Sequence, residues 1–503
     1  MGIIDHLSDK LHLSSDNTDA SQSTFDVKAV TPAPPLSPDS VFRYRKQRGV
    51  NLGSWFILER WITERPFRNA VAPGQSDHDV ASGKDAKAIL EDHWDHWITE
   101  DDWTWIKNHG FNSVRLPIGY YHLCLAIPDV LKKTEFEPFY NVYCGAWPRI
   151  QKAIQAAQDH GLGVFVDLHA APGSQNGESH SGLSTGKANL LGNSSNMQTT
   201  SLALRFLASY LATKPNVVGL ELLNEPKNDN RLQGFYDSLI QQCRSITGPH
   251  FPIYVSDAWD TAHYSVYAGG KPDFVVVDHH LYRCFTPEDK ALTGVQHAQK
   301  LRNEFAGTFA NWCNAARGGL VVGEWSAALD DWNKGMSDTE RDRNKREFVA
   351  AQLELYNKYS AGWWFWTLKK GDGWDAGWSA KDAVTAQILP GWVGSGRFKG
   401  TPAQSTKDKA MTQGQNAHTS YWNANGGAPN PQVYSPGFSQ GWDDAIIFLS
   451  HCSGVSELGF LARWCDRRKA EYEQSHGSLG AAAWEWEHGF REGVAACQQA
   501  ALG

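Results

Sequence analysis

Two glutamates hold the residue types and positions that hydrolytic chemistry needs. Glu225 follows Asn224 in the tetrapeptide LNEP (Leu223–Pro226), at the end of the apolar run Val217–Asn224. Glu324 lies near the end of a second apolar run, Leu320–Trp325. Two carboxyl groups facing each other about 5–5.5 Å apart can cleave a glycosidic bond with retention, one as nucleophile and the other as acid and then base. The acid needs its pKa raised by burial or a neighbouring carboxylate. The nucleophile needs to stay ionised, and Arg115 with the phenol of Tyr282 can hold it so by charge-assisted hydrogen bonds. Asn224 stands where it can bond a sugar 2-hydroxyl, a contact that strengthens in the transition state. Trp366 can supply a flat floor under a sugar ring. His169 and His280 complete a polar set at the ends of otherwise apolar runs. Taken singly, each residue has a plain structural role: a solvated glutamate, a structural ion pair, a half-buried histidine or a core tryptophan. Their shared position at the same end of successive runs is what points to chemistry. A metal centre built from His169, His279 and His280 lacks an HxH or HExxH motif and is not expected.

The elements that position these residues follow from the apolar pattern. Eight short runs rich in β-branched and aromatic residues read as buried parallel strands. They are Arg48–Gly53, Ser113–Ile118, Gly163–His169, Val217–Asn224, Pro252–Asp257, Phe274–His279, Leu320–Trp325 and Gly362–Leu368. Helical patterns lie between them at Pro148–His160, Ser201–Thr213, Leu232–Ile246, Gln296–Ala316 and Thr339–Tyr359. Thr99-Glu100-Asp101-Asp102 reads as a capping box that opens a helix ending at His109-Gly110. This alternation predicts an α/β fold, a (β/α)8 TIM barrel. A doubly wound sheet would carry a Gly-rich phosphate loop after its first strand, and Gly53-Ser54-Trp55 is not one. Long connections after strands one, two, three and eight would form the active-site face. The last of them, 369–441, reads as a lid or subsite wall on that face. Residues 442–503 read as the final barrel helix and a helical appendage, within a catalytic unit spanning 41–503.

Composition narrows the function classes. The chain has 503 residues, 47 Lys plus Arg against 55 Asp plus Glu, and a formal charge of −8, which gives no reason to expect nucleic acid or an anionic membrane as partner. The 22 Trp are enough to supply both core and stacking surfaces. Eight cysteines are scattered with no CxxC pair, so zinc and redox motifs are not expected. Residues 1–40 form a polar Ser/Thr/Pro-rich stretch with no apolar signal core, which predicts a disordered tail and a cytoplasmic location, with non-classical export as the alternative. Gly2 is followed by His6 where a myristoylation motif needs Ser or Thr.

These residues also carry a resemblance. RGVNLGSWFILERW (Arg48–Trp61), NSVRLPIGYY (Asn112–Tyr121), VDLHAAPGSQNG (Val166–Gly177), LNEP, DHHLY (Asp278–Tyr282), VGEWSAAL (Val322–Leu329) and GWWFWTLK (Gly362–Lys369) occur in the order found in glycoside hydrolase family 5. The chain most resembles that family's fungal exo-β-1,3-glucanase branch, over residues 44–380. The resemblance implies a TIM barrel, a retaining mechanism and no cofactor. It implies Glu225 as acid/base and Glu324 as nucleophile, with Arg115, His169, Asn224, His280, Tyr282 and Trp366 at remaining site positions. It also implies that Glu59 and Asn176 contact the terminal glucose, hence an exo-acting pocket for a β-glucan or β-glucoside. Three features depart from the branch: the missing signal core, the sequence GESHSG (Gly177–Gly182), and the extra chain beyond Lys369. A flavonoid diglycosidase that releases an intact disaccharide shares the same catalytic residues, and a non-catalytic sugar-binding barrel is the reading of a different class.

Overall fold

A computed structural model describes residues 37–330, 334–394, 396–451 and 456–502. Most of the expected polar tail therefore lies outside the described residues. Eight parallel strands close into a barrel in chain order. They are β1 (Gln47–Asn51), β2 (Ser113–Gly119), β3 (Gly163–Ala170), β4 (Val217–Glu221), β5 (Ile253–Ser256), β6 (Val275–Leu281), β7 (Leu320–Trp325) and β8 (Gly362–Phe365). Every strand is buried along its whole length, which is why each reads as a continuous apolar run. Two strands end three residues earlier than the apolar pattern suggests. β4 stops at Glu221 and β8 at Phe365, and the apolar residues that follow serve the core from loops.

Side chains alternate between the helical ring and the barrel lumen. The inward residues form layers. An aromatic layer lies nearest the amino-terminal end, with Phe165 4.2 Å from Tyr254 and 4.9 Å from Trp364 between ring centroids. Above it, buried beyond water, sit Asn51, Arg115, Asp167, Glu221 and Asp278. The residues at the carboxyl ends of the strands form the top layer.

The outer helices match their sequence signals. Thr99 and Asp102 form the capping box of helix Glu100–Asn108. The helix read as Gln296–Ala316 is broken by a π turn at Leu301–Phe305. The eighth helical position is filled by the short helix Ala380–Thr385. The amine of Lys381 meets Asp102 on the helix that follows β1, and Arg346 on the helix that follows β7 bonds the carbonyl of Ala386.

That placement corrects the expectation for the end of the chain. Residues 369–379 do lie at the active-site face, where the amide of Gly371 bonds the carbonyl of Ile62. The chain then descends, and the amide of Val393 bonds the carbonyl of His109 just before β2. The remaining helices, Gln404–Ala424, Pro431–Ser450, Leu461–His476 and Ala483–Ala501, pack at the amino-terminal end of the barrel. Tyr434, Phe438, Trp442, Trp464, Trp486 and Phe490 join the aromatic layer and Phe42 and Tyr44 in one apolar cluster. Arg45 bridges to Leu458, and Arg48 pairs with Glu457, closing the barrel floor. Residues 404–441 are thus a floor and not a lid, and the described residues of 442–503 supply no final barrel helix. The cause is apolar demand: these helices carry large aromatic faces, and the open lower end of the barrel offers the matching surface.

Two of these helices approach each other unusually closely. Gly437 and Gly441 on one face Gly489 and Gly493 on the other. A Cβ at Gly441 would lie 2.0 Å from the Phe490 carbonyl oxygen, and one at Gly493 2.1 Å from that of Phe438. Glycine here permits backbone contact. Gly441→Ala is expected to push the helices apart at a cost of about 1–3 kcal/mol, read as a lowered Tm by circular dichroism; an unchanged Tm would show that the pair can separate freely.

Candidate active site

The top of the barrel opens into a cavity of about 1190 Å3. Its wall includes Glu59, His169, Asn176, Asn224, Glu225, His280, Tyr282, Glu324 and Trp366, so nine of the ten residues expected from the sequence line one space. The tenth, Arg115, lies fully buried just below.

Arg115 projects inward from β2 and ties four strands together. Its Nη1 donates to Glu324 Oε1 at 2.8 Å. Its Nη2 reaches Glu221 Oε2 at 2.7 Å, Asn224 Oδ1 at 2.8 Å and Asp167 at 3.1 Å. Burial alone would lower the Arg115 pKa, but Asp167, Glu221, Glu324 and Asp278 outweigh it and keep the guanidinium charged. Burial pushes the Glu221 carboxyl well up, helped by Asp278 and Asp167 and opposed by Arg115. Burial pushes Asp167 the same way, but Arg115 and His169 outweigh it and hold Asp167 below the usual carboxylate range.

Glu324 comes from the end of β7. Its second oxygen, Oε2, accepts from the Tyr282 hydroxyl at 2.7 Å. Both oxygens are therefore fixed by donors, which aims the carboxylate at the cavity. Glu225 stands in the left-handed region at φ 44°, a strained turn beyond β4 that points its side chain across the lumen. His280 Nδ1 lies 2.7 Å from Glu225 Oε1 and 3.5 Å from Glu324 Oε2. A register shift between His279 and His280 sets His280 opposite Glu324. One oxygen of each glutamate and a nitrogen of His280 all lie within 4.8 Å of one another. Burial tends to raise the Glu225 pKa, but the hydrogen bond and charge of His280 outweigh it and hold it down at about 2. Burial lowers the basicity of His280, and Glu324, Asp278 and Glu225 outweigh that too. The pair is an imidazolium and a carboxylate in the open site.

The third-strand loop fixes the remaining polar groups. His169 Nδ1 lies 2.5 Å from Asp167, and its Nε2 is 3.3 Å from the Asn224 amide. Gln175 donates to the carbonyls of both His169 and Asn224, stitching the loop to the turn after β4. Trp366 lies nearly parallel to His169, with centroids 5.9 Å apart. Glu59 accepts from the indole of Trp61 at 2.7 Å. Its other oxygen, and the Asn176 amide nitrogen, are buried in the cavity wall and meet no protein partner among the described residues. Such orphaned polar atoms are the kind a sugar hydroxyl satisfies.

The sequence reading passed over several functional positions. Asp167, Glu221 and Asp278 were legible as single acids inside apolar runs (VFVDLH, VVGLELL, FVVVDH), a pattern that costs too much to be idle. Trp61, Trp259, Phe285 and Trp378 line the mouth, and His180 stands beside Glu225. They come from loops and carry no periodic signal. The triad His169, His279 and His280 is not assembled, because alternation turns His279 outward to Asp257, 2.6 Å away. Glu221, Asp278 and His280 also cluster within 4.8 Å, but Arg115 already occupies that acidic layer.

Comparison with known proteins agrees with this geometry. Residues 81–372 match the family model described as Cellulase (glycosyl hydrolase family 5). Residues 403–501 match the Glucan 1,3-beta-glucosidase 3 C-terminal domain. The chain is 32% identical over 478 residues to Glucan 1,3-beta-glucosidase 3 of Schizosaccharomyces pombe, covering 90% of this chain and 95% of that one. It is 33% identical over 386 residues to the Probable glucan 1,3-beta-glucosidase A of Aspergillus clavatus, covering 68% and 87%. The crystal structure of rutinosidase from Aspergillus niger shares the fold at a TM-score of 0.53 and 17% identity, over 69% of this chain and 98% of that one. The chain belongs to glycosyl hydrolase family 5 and is a glycoside hydrolase.

Burial pushes the Glu59 carboxyl up from 4.5 to about 7. Across that window the folded chain keeps a proton that the unfolded chain releases. The associated stability is complete below the window and is lost as pH rises through about 7. Glu59→Gln is neutral at every pH and escapes this loss. The Tm of the variant relative to wild type is therefore expected to rise between about pH 5 and about pH 8. A pH-independent difference in thermal melts would contradict the raised pKa.

Proposed function

We propose that this family member is a retaining exo-β-glucosidase that releases glucose from the ends of β-1,3-glucans, their oligosaccharides or small β-glucosides. The observation that carries this reading is the pair Glu225 and Glu324, facing each other with oxygens within 4.8 Å at the top of the barrel. Carboxylate oxygens this close suit a nucleophile and an acid/base acting on one anomeric carbon, as retention requires. The glucan 1,3-beta-glucosidase names of the relatives support the substrate class.

In this reading the terminal glucose rests on Trp366. The free Glu59 oxygen and the Asn176 amide take its outer hydroxyls, and Asn224 takes the 2-hydroxyl. Glu324, held by Arg115 and Tyr282, attacks the anomeric carbon. The glycosidic bond breaks as Glu225 gives its proton to the departing oxygen. Glu225 needs that proton, and in the open site the proton of the pair is on His280. A glucoside filling the cavity excludes water, which favours the neutral carboxyl–imidazole form over the ion pair. His280 keeps its Nδ1 proton on Oε1 and gives up its other one, and Glu225 takes a proton from solvent on Oε2, facing the substrate, as the cavity fills. In the second step Glu225 takes a proton from water, the water oxygen bonds to the anomeric carbon, and Glu324 is released as carboxylate.

A product assay tests the reading. Purified protein is offered an aryl β-glucoside, laminari-oligosaccharides and a rutinoside, with the released sugar identified and its first-formed anomer read by NMR. Glucose as the β-anomer from the first two is expected. An intact disaccharide from the rutinoside, with little glucose elsewhere, would replace the proposal with a diglycosidase. Glu324→Gln is expected to end turnover, and Glu225→Gln to slow an unactivated glucoside about 10²–10⁴-fold. Full activity in either variant would refute its assigned role.

A further inference from the structure

Glu225 has two imidazole neighbours, and the chemistry above uses one. His280 takes Oε1. His180 places its Nε2 3.7 Å from the other oxygen, Oε2. His180 comes from the short turn Ser179–Ser181 in the loop after β3, inside the segment that departs from the exo-glucanase pattern.

That loop is built to hold a side chain still. Ser174 and Ser181 share a hydroxyl–hydroxyl bond of 2.5 Å. The Gly177 amide donates to Ser174 Oγ at 2.7 Å, and Ser181 Oγ donates to the Glu178 carbonyl at 2.6 Å. The His78 amide donates to the Gly182 carbonyl at 3.1 Å, anchoring the far end. The His180 ring packs against the His169 ring at 5.2 Å and 61°. It lines the catalytic cavity, with 20% of its side chain exposed, and its Nδ1 is buried without a protein partner among the described residues. A solvated surface histidine would need none of this support.

The separation of 3.7 Å has a use. It is too long for a direct hydrogen bond, yet an oxygen atom about 2.8 Å from each end closes a triangle on it. In each half of a double displacement an oxygen must sit against the free oxygen of the acid/base: first the glycosidic oxygen, then that of the incoming water. We propose that His180 is an additional catalytic residue that donates from Nε2 to this oxygen. This rests on the glucosidase reading. In the first step Glu225 transfers its proton to the glycosidic oxygen as the bond to the anomeric carbon breaks, and His180 stabilises the charge growing on that oxygen. In the second step His180 donates to the water while the water gives its proton to Glu225. The Nε2 proton stays on the imidazole throughout.

The role predicts a dependence on the leaving group. Full-length wild type, His180→Ala and His180→Gln are compared by kcat/KM on 2,4-dinitrophenyl β-glucoside and on laminaribiose. The dinitrophenolate leaves without a proton or a donor; the glucose of laminaribiose needs both. His180→Ala is expected to lose about 100-fold on laminaribiose, and at least about ten times less on the dinitrophenyl substrate, since a donor on an already good leaving group is worth little. His180→Gln, which retains an N–H donor, is expected to recover part of the laminaribiose loss. Equal losses on both substrates in folded variants, checked by thermal melts, would make His180 a structural residue and overturn the proposal. No loss on either would do the same. Wild type that turned over neither substrate would refute the glucosidase reading itself, and would show before any variant was compared.

Discussion

The site depends on one buried cation. Arg115 sits with no access to water, and an uncompensated charge there would cost several kcal/mol. Its guanidinium is paired on every side: Glu324 on one nitrogen, Glu221, Asp167 and Asn224 on another, and the face of Phe165 5.6 Å below. The planar fork lets one residue serve several acceptors in fixed directions, which a lysine cannot do. Because the partners come from β3, β4, β7 and the turn after β4, satisfying Arg115 also sets the relative heights of those strands. Glu225 and Glu324 inherit their spacing from that constraint. A neutral residue in the same place would leave a cluster of acids with no common counter-ion.

The barrel divides its labour along its axis. Aromatic residues Phe165, Tyr254 and Trp364 plug the lumen beneath the charged layer. The four C-terminal helices then cover the amino-terminal end, where catalysis in this fold does not take place. Water is thereby kept from the charged layer from below, which strengthens every ion pair inside it. The opposite end keeps its loops free to shape the cavity. Trp61, Phe285, Trp378 and the exposed Trp259 stand around the mouth. The mouth of the cavity is thus shaped by loop residues resting on a scaffold whose stability is secured elsewhere.

The pair Glu225 and His280 shows how far a local environment is tuned. Burial, the single strongest influence on Glu225, favours its neutral form, yet the hydrogen bond and charge of His280, with His180 and His169 behind them, reverse the balance. A proton can therefore reside on either partner, and a change in solvent access is enough to shift the balance. The neighbouring carboxylates reinforce this, since Asp278 and Glu324 make His280 a stronger base.

The sequence by itself determined the barrel and most of the top layer. Alternation within fully apolar strands placed Asp167 with His169, Asp278 with His280, and Trp364 with Trp366 on one face, because side chains on a strand repeat every second residue. Eight such strands in order allow one closed arrangement, and strand ends then gather Arg115, Asn224, Glu225 and Glu324 without further information. Tertiary structure alone decided the rest. The side of the barrel taken by residues 404–502 depends on which exposed apolar surface the helices can cover, and nothing local in those helices encodes it. The glycine pairs Gly437/Gly441 and Gly489/Gly493 acquire meaning only when the two helices meet. His180, too, is one histidine in a polar loop until the serine bonds of that loop bring it within reach of Glu225. Periodicity reports contacts made within an element; it is silent about loops and about elements that choose their partner by surface complementarity.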